Sequence, residues 1–219
     1  MIEVLALDFD GVVVESLDVK TQAFAAIFAD RRQHLDAILK LHRENGGMTR
    51  FKKFEIIYRD ILNEPLTSEE SAALGERFER WVVDRVVACE PVRGSVELLR
   101  RWSPRLPIYV ISATPHEEMR TIAAARGLTP YFADVFGSPT TKPEWLRHIL
   151  TQHDLAPERV LFVGDARQDA AAAAETGVRF VRRYVPGLDP TFAGLPIQHT
   201  VADLAGLDTY LTEVLGLRL

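Results

Sequence analysis

Four acidic side chains, one lysine and one serine stand where they could do chemistry: Asp8, Asp10, Asp165 and Asp169, with Lys142 and Ser112. Asp8 and Asp10 follow the apolar run Leu5-Ala6-Leu7 and precede Gly11. Side chains two apart in an extended segment point to the same side, so both carboxylates can face one reacting centre. Two acids held together do not ionise equally, and a cation beside one keeps it a carboxylate while the other retains a proton to donate. The pair is thus a candidate nucleophile and acid/base couple, although Asp-x-Asp-Gly after a strand is also a common turn. Asp165 and Asp169 lie four apart across an expected helix start, neighbours on one face, where helix capping is the plainer use of each. Four carboxylates in one crevice would be costly without a cation. An all-oxygen donor set without histidine suits a hard ion that keeps its waters, Mg²⁺ rather than zinc. Lys142 and Ser112 supply a fixed positive charge and a hydroxyl beside backbone amides, a combination that suits a bound phosphate. Surface lysine and helix cap are their ordinary uses.

For these groups to meet, the chain must bring distant segments together. Uninterrupted apolar runs at 2–7, 108–111, 160–163 and 178–181 read as strands covered on both faces, and 134–136 as another. Helical stretches at 95–102, 117–126, 144–153 and 166–176 alternate with them, broken at Gly94, Pro104, Gly127, Pro143, Pro157 and Gly177. That alternation predicts an α/β fold with a parallel, Rossmann-like sheet. The polar residues follow strand ends, and the carboxyl ends of parallel strands form the crevice where ligands bind. From 16 to 87 the strand signal vanishes. Apolar residues recur at helical spacing over 20–28, 36–44, 51–62 and 68–87, with a capped start at Thr67-Ser68-Glu69-Glu70 and breaks at Asn45-Gly46-Gly47 and Asn63-Glu64-Pro65. The expected organisation is an α/β core of residues 1–15 and 88–219 with an all-helical insert, 16–87.

The chain has 219 residues, 47% of them hydrophobic and 26% charged, enough to bury a core. A net charge of -5 argues against a sequence-independent nucleic-acid binder. Cys89 is the single cysteine, which excludes an intrachain disulfide and a cysteine-rich zinc site. No apolar run approaches the roughly 20 residues of a membrane helix, and the N-terminus lacks the pattern of a signal peptide. A cytoplasmic protein that binds neither nucleic acid nor membrane is expected.

Asp8-Phe9-Asp10-Gly11-Val12-Val13, then Ser112 after an apolar strand, then Lys142, then Gly164-Asp165-Ala166-Arg167-Gln168-Asp169, in that order, resembles the four motifs of the haloacid dehalogenase-like superfamily of hydrolases. The helical insert after the first motif is similar to that family's type C1 cap. The resemblance implies two-step phosphoryl transfer: Asp8 attacks phosphorus and becomes an aspartyl-phosphate, while Asp10 protonates the leaving alkoxide and then activates water. It further implies Mg²⁺ held by the Asp8 side chain, the Asp10 backbone carbonyl and Asp165, with Asp169 behind them orienting water or Lys142. Ser112 and the amides around Ala113 and Thr114 would hold phosphate oxygens, and Lys142 would offset the charge. An acid at position 10 favours a phosphatase or phosphomutase over the dehalogenases and ion-pumping ATPases of the same family. The expected partner is a small phosphorylated metabolite.

Gly46-Gly47-Met48-Thr49-Arg50 resembles the cap loop that dips into the crevice in related phosphatases and mutases, and the resemblance implies that Arg50 is offered to a phosphate or carboxylate of the substrate. Arg43, Lys52 and Lys53 beside it bear on the same question, and a solvated basic face is expected for Lys52 and Lys53. His42 and His116 border expected crevice loops; 184–199 carries no assigned chemistry. The rival readings are a phosphomutase, a signalling module phosphorylated on aspartate, and a catalytically silent member used for binding. The second fits poorly, since such modules are far shorter and carry no large insert.

Overall fold

A computed structural model describes residues 1–187 and 191–218. Six strands form one parallel sheet: β1 (Val4–Leu7), β2 (Ile108–Pro115), β3 (Asp134–Ser138), β4 (Val160–Gly164), β5 (Arg179–Arg183) and β6 (His199–Val201). Their spatial order is β3-β2-β1-β4-β5-β6, which puts β1 at the centre with β2 and β4 on either side. The order reverses at β1, so the crevice beyond its carboxyl end is where this topology admits a ligand.

Alternate residues of the central strands feed two separate cores. Leu5, Leu7, Val110, Leu161 and Val163 pack on one face, and Val4, Ala6, Ile111, Val160 and Phe162 on the other. Every one of them is buried, which accounts for runs that are apolar throughout. Residues 188 to 190 of the stretch 184–199 and the terminal Leu219 lie outside the described residues. Strand β6 was not legible as an apolar run, because His199 and Thr200 are exposed at the sheet edge.

Between β1 and β2 the secondary structure is helical: α1 (Leu17–Ile27), α2 (Leu35–Glu44), α3 (Arg50–Ile56), α4 (Ser68–Ala88) and α5 (Ser95–Trp102). Helix α3 runs on through wider turns at Ile57–Leu62 and stops at Asn63, whose φ of 54° is left-handed. The Thr67 hydroxyl accepts from the Glu70 amide and the Glu70 carboxylate accepts from the Thr67 amide, the reciprocal cap that starts α4. Phe24, Phe28, Phe54 and Phe78 stack edge to face among these helices and join the core under the sheet. The chain leaves and re-enters the sheet layer side by side. Glu15 donates its amide to the Glu90 carbonyl and Val92 to that of Val13, each at 3.0 Å.

Helices α6 (His116–Ala125), α7 (Lys142–His153) and α8 (Arg167–Thr176) complete the strand crossovers, and α9 (Leu204–Thr209) follows β6. The strands and the helices expected after residue 88 are all present, displaced at their ends by no more than four residues.

Candidate active site

Asp8 lies one residue past β1 and Asp10 two further on, where Gly11 turns the chain at a φ of 74°. A Cβ on Gly11 would sit 2.8 Å from an Asp165 carboxylate oxygen, so a side chain is excluded by both backbone and space. Asp165 follows β4, the strand beside β1, and Ser112 lies within β2 on the other side. Asp8, Asp10, Ser112, Ala113 and Asp165 line one crevice. Segments more than 100 residues apart in sequence therefore converge at the sheet's carboxyl edge.

Lys142 opens α7 and reaches beneath the crevice, its Nζ 2.9 Å from an Asp8 carboxylate oxygen and paired also with Asp169. Asp169 is fully buried and uses its second oxygen to accept from the Ala166 amide at 3.0 Å. Carboxylate oxygens of Asp8, Asp165 and Asp169 lie within 4.8 Å of one another. Burial pushes the Asp8 carboxyl up to about 7, against the pull of Lys142, and burial together with Asp8 and Asp169 raises Asp165 well above the carboxylate range. Among the described residues no lysine or arginine pairs with Asp165. Three crowded carboxylates with a single lysine among them leave negative charge uncompensated, and oxygen donors alone fit a hard divalent cation.

Asp10 faces a different neighbourhood. Ser16 donates its hydroxyl to one oxygen at 2.6 Å, and Lys20 donates to the other. Burial would raise this carboxyl, but the charge and hydrogen bond of Lys20, aided by Ser16, hold it below the ordinary range. Sequence reasoning missed both partners. Their signal was spacing: Ser16 and Lys20 stand four apart at the start of α1, hence on one face.

Ser112 accepts the Thr114 amide at 3.1 Å, and Thr114 and Arg50 line an adjoining recess on the side of the helical segment. Arg50 is buried with its guanidinium clamped on both oxygens of Glu118, at 2.6 and 2.7 Å, above the Phe78 ring. Gly46 and Gly47 do border the crevice, where a Cβ on Gly47 would meet Gln168 at 2.9 Å.

Lys52 is exposed and pairs with Glu55, but Lys53 is only 2% exposed, which corrects the expected solvated face. The reason is helical phase: Lys53 shares the inward side of α3 with Arg50, Phe54 and Ile57. Its Nζ lies 3.0 Å from His42 Nδ1. His116 serves the core, accepting the Gly137 amide and stacking on Trp145.

The family model of haloacid dehalogenase-like hydrolases matches residues 2–177. Phosphoglycolate phosphatase 1 of Pseudomonas aeruginosa is 27% identical over 179 residues, covering 78% of this chain and 65% of that protein. A 5'-nucleotidase of the same organism is 31% identical over 142 residues, covering 62% of this chain and 64% of that protein. The chain thus aligns with just under two thirds of the length of either relative. Among solved structures, a hydrolase from Pseudomonas syringae shares the fold with a TM-score of 0.76 at 18% identity, covering 97% of this chain and 99% of that one.

Proposed function

The chain belongs to the haloacid dehalogenase-like hydrolase family, and from that premise we propose that it is a phosphatase releasing phosphate from a small phosphomonoester by way of a phosphoryl group carried on Asp8. The observation that carries the reading is the Asp8 carboxylate, buried at the crevice floor, 2.9 Å from Lys142 and crowded by Asp165 and Asp169. Both relatives, a phosphoglycolate phosphatase and a 5'-nucleotidase, are named for phosphate esters, which supports the substrate class.

In the first step an Asp8 oxygen forms a bond to phosphorus, the ester P–O bond breaks with its electron pair on the leaving alkoxide, and Asp10 gives that alkoxide a proton. In the second, Asp10 takes a proton from water, whose oxygen attacks phosphorus and releases phosphate and Asp8. Lys142 holds Asp8 in place and offsets charge on the transferring group. Asp169 has both oxygens committed, to Lys142 and to the Ala166 amide, and so positions the lysine. Ser112 and the amides near Ala113 and Thr114 receive phosphate oxygens.

The Asp8 and Asp165 side chains and the Asp10 backbone carbonyl are the groups that would hold Mg²⁺. When bound, that ion supplies positive charge against the phosphoryl oxygens and the clustered carboxylates. Residues 16–87 act as a cap, excluding bulk water from the phosphorylated aspartate. The test is phosphate release from p-nitrophenyl phosphate by the full chain with Mg²⁺ and with a chelator. Turnover that requires the metal is expected, and its absence under both conditions refutes the reading.

A further inference from the structure

The crevice continues into the recess on the cap side, which shares Lys20, His42, Gly46 and Ala113 with it. Among the described residues lining that recess are three cationic side chains, Lys20, Arg50 and Lys53, and no carboxylate. Two of the three already have counter-ions, Lys20 in Asp10 and Arg50 in Glu118. Lys53 does not. Its contacts are His42 Nδ1 at 3.0 Å, the His42 carbonyl at 3.4 Å and the face of Phe24 at 5.5 Å. No carboxylate among the described residues pairs with it, although the side chain is almost wholly buried.

A buried ammonium with no counter-ion is costly, and packing alone does not call for one, since methionine would fill the same space. From this unmatched cation and its place in a recess continuous with the crevice, we infer that Lys53 forms a subsite for a second anionic group, a carboxylate or a further phosphate, on the same small phosphomonoester. The inference rests on the phosphatase reading and narrows its substrate class. Burial, with help from Lys20, brings the Lys53 amine down to about 7, and burial pushes His42 to about 2, so the imidazole stays neutral and accepts from the lysine. An arriving anion supplies the counter-ion and restores the full charge. Arg50 is unsuited to the task because its charge is already met by Glu118, both of whose oxygens accept from its Nη2, while its Nη1 donates to the Gly75 carbonyl.

Four matched esters test the assignment with the Mg²⁺-loaded protein: ethyl phosphate, phosphoethanolamine, phosphoglycolate and ethylene glycol bisphosphate. We expect kcat/KM for phosphoglycolate or the bisphosphate to exceed that for ethyl phosphate by about tenfold or more, one charge-assisted contact, with phosphoethanolamine poorest. The better of the two anionic arms identifies carboxylate or phosphate. Lys53→Met should erase the preference through KM, and Lys53→Arg should keep part of it. Equal use of ethyl phosphate and both anionic esters by the unaltered protein overturns the subsite, as does a preference unchanged in Lys53→Met. The comparison within the unaltered protein decides even where the variant does not fold. Turnover of p-nitrophenyl phosphate without preference among the four esters, or without use of the anionic ones, removes the subsite alone, whereas loss of p-nitrophenyl phosphate turnover removes the phosphatase reading as well.

Discussion

Lys20 donates from its Nζ to the Asp10 carboxylate, and the same ammonium reaches the Thr114 hydroxyl at 2.9 Å. An Asp10 held ionised in this way has no proton to give a leaving group. The phosphate dianion of an incoming ester competes for the lysine, so substrate arrival itself would return Asp10 toward the state in which it can act as an acid.

Replacing Lys20 with methionine tests this relationship. Burial then acts on Asp10 without its main counterweight, and the carboxyl titrates higher. The basic limb of kcat/KM against pH should move up by about one unit with ethyl phosphate, whose leaving group needs the proton. A limb that stays in place would show that Lys20 does not govern Asp10.

The acidic cluster makes the metal-free protein sensitive to pH. Asp8 titrates near 7 in the folded chain, above its ordinary 3.8, and Asp165 is raised in the same direction. A raised carboxyl contributes stability that is complete below the unfolded value and is lost as pH climbs through the folded one. Asp10, depressed, works in the opposite sense, and its contribution disappears only below about pH 4. His42 and Lys53, both lowered, gain stability over the same range and offset part of this loss, so the metal-free chain should melt lower at pH 8 than at pH 5 by about 3 °C. Mg²⁺ should recover the difference at pH 8 and have little effect at pH 5. Differential scanning calorimetry at both pH values, with and without Mg²⁺, measures this. A flat profile with no stabilisation by Mg²⁺ at pH 8 would mean that the carboxylates are not strained by one another.

The Arg50–Glu118 pair joins α3 to α6 and is almost completely buried. Burial raises the Glu118 carboxyl even with the guanidinium on it, so the pair gains little over apolar groups of the same size. Glu118→Gln strands a buried charge and should cost about 3 kcal/mol or more in denaturant unfolding. The double change Arg50→Met with Glu118→Leu should return most of that loss. A double variant no more stable than the single would place the cost elsewhere.

Much of this site was legible because its residues follow apolar runs. Asp8, Ser112 and Asp165 could be placed at one sheet edge from the strand pattern alone, and the order of the motifs added Lys142. Ser16, Lys20, Glu118 and the burial of Lys53 were not legible. Each depends on which way a helix face turns and on a neighbour 6 to 68 positions away, as in the pairs Ser16–Asp10, Lys20–Asp10, Lys53–His42 and Arg50–Glu118. Apolar periodicity marks the greasy face of α3 through Phe54 and Ile57, but a lysine on that face reads as solvated until its phase is known. Strand β6 escaped for the converse reason: an edge strand with two exposed residues presents no apolar run.

The most direct measurement bears on Asp8 itself. Mg²⁺-loaded protein is mixed with a substrate ester, quenched in acid within milliseconds and digested, and the phosphorylated peptide is mapped by mass spectrometry. The account predicts a hydroxylamine-labile phosphoryl group on Asp8, absent in Asp8→Asn along with turnover. A phosphoryl group on any other residue, or Asp8→Asn turning over at the native rate, would contradict it.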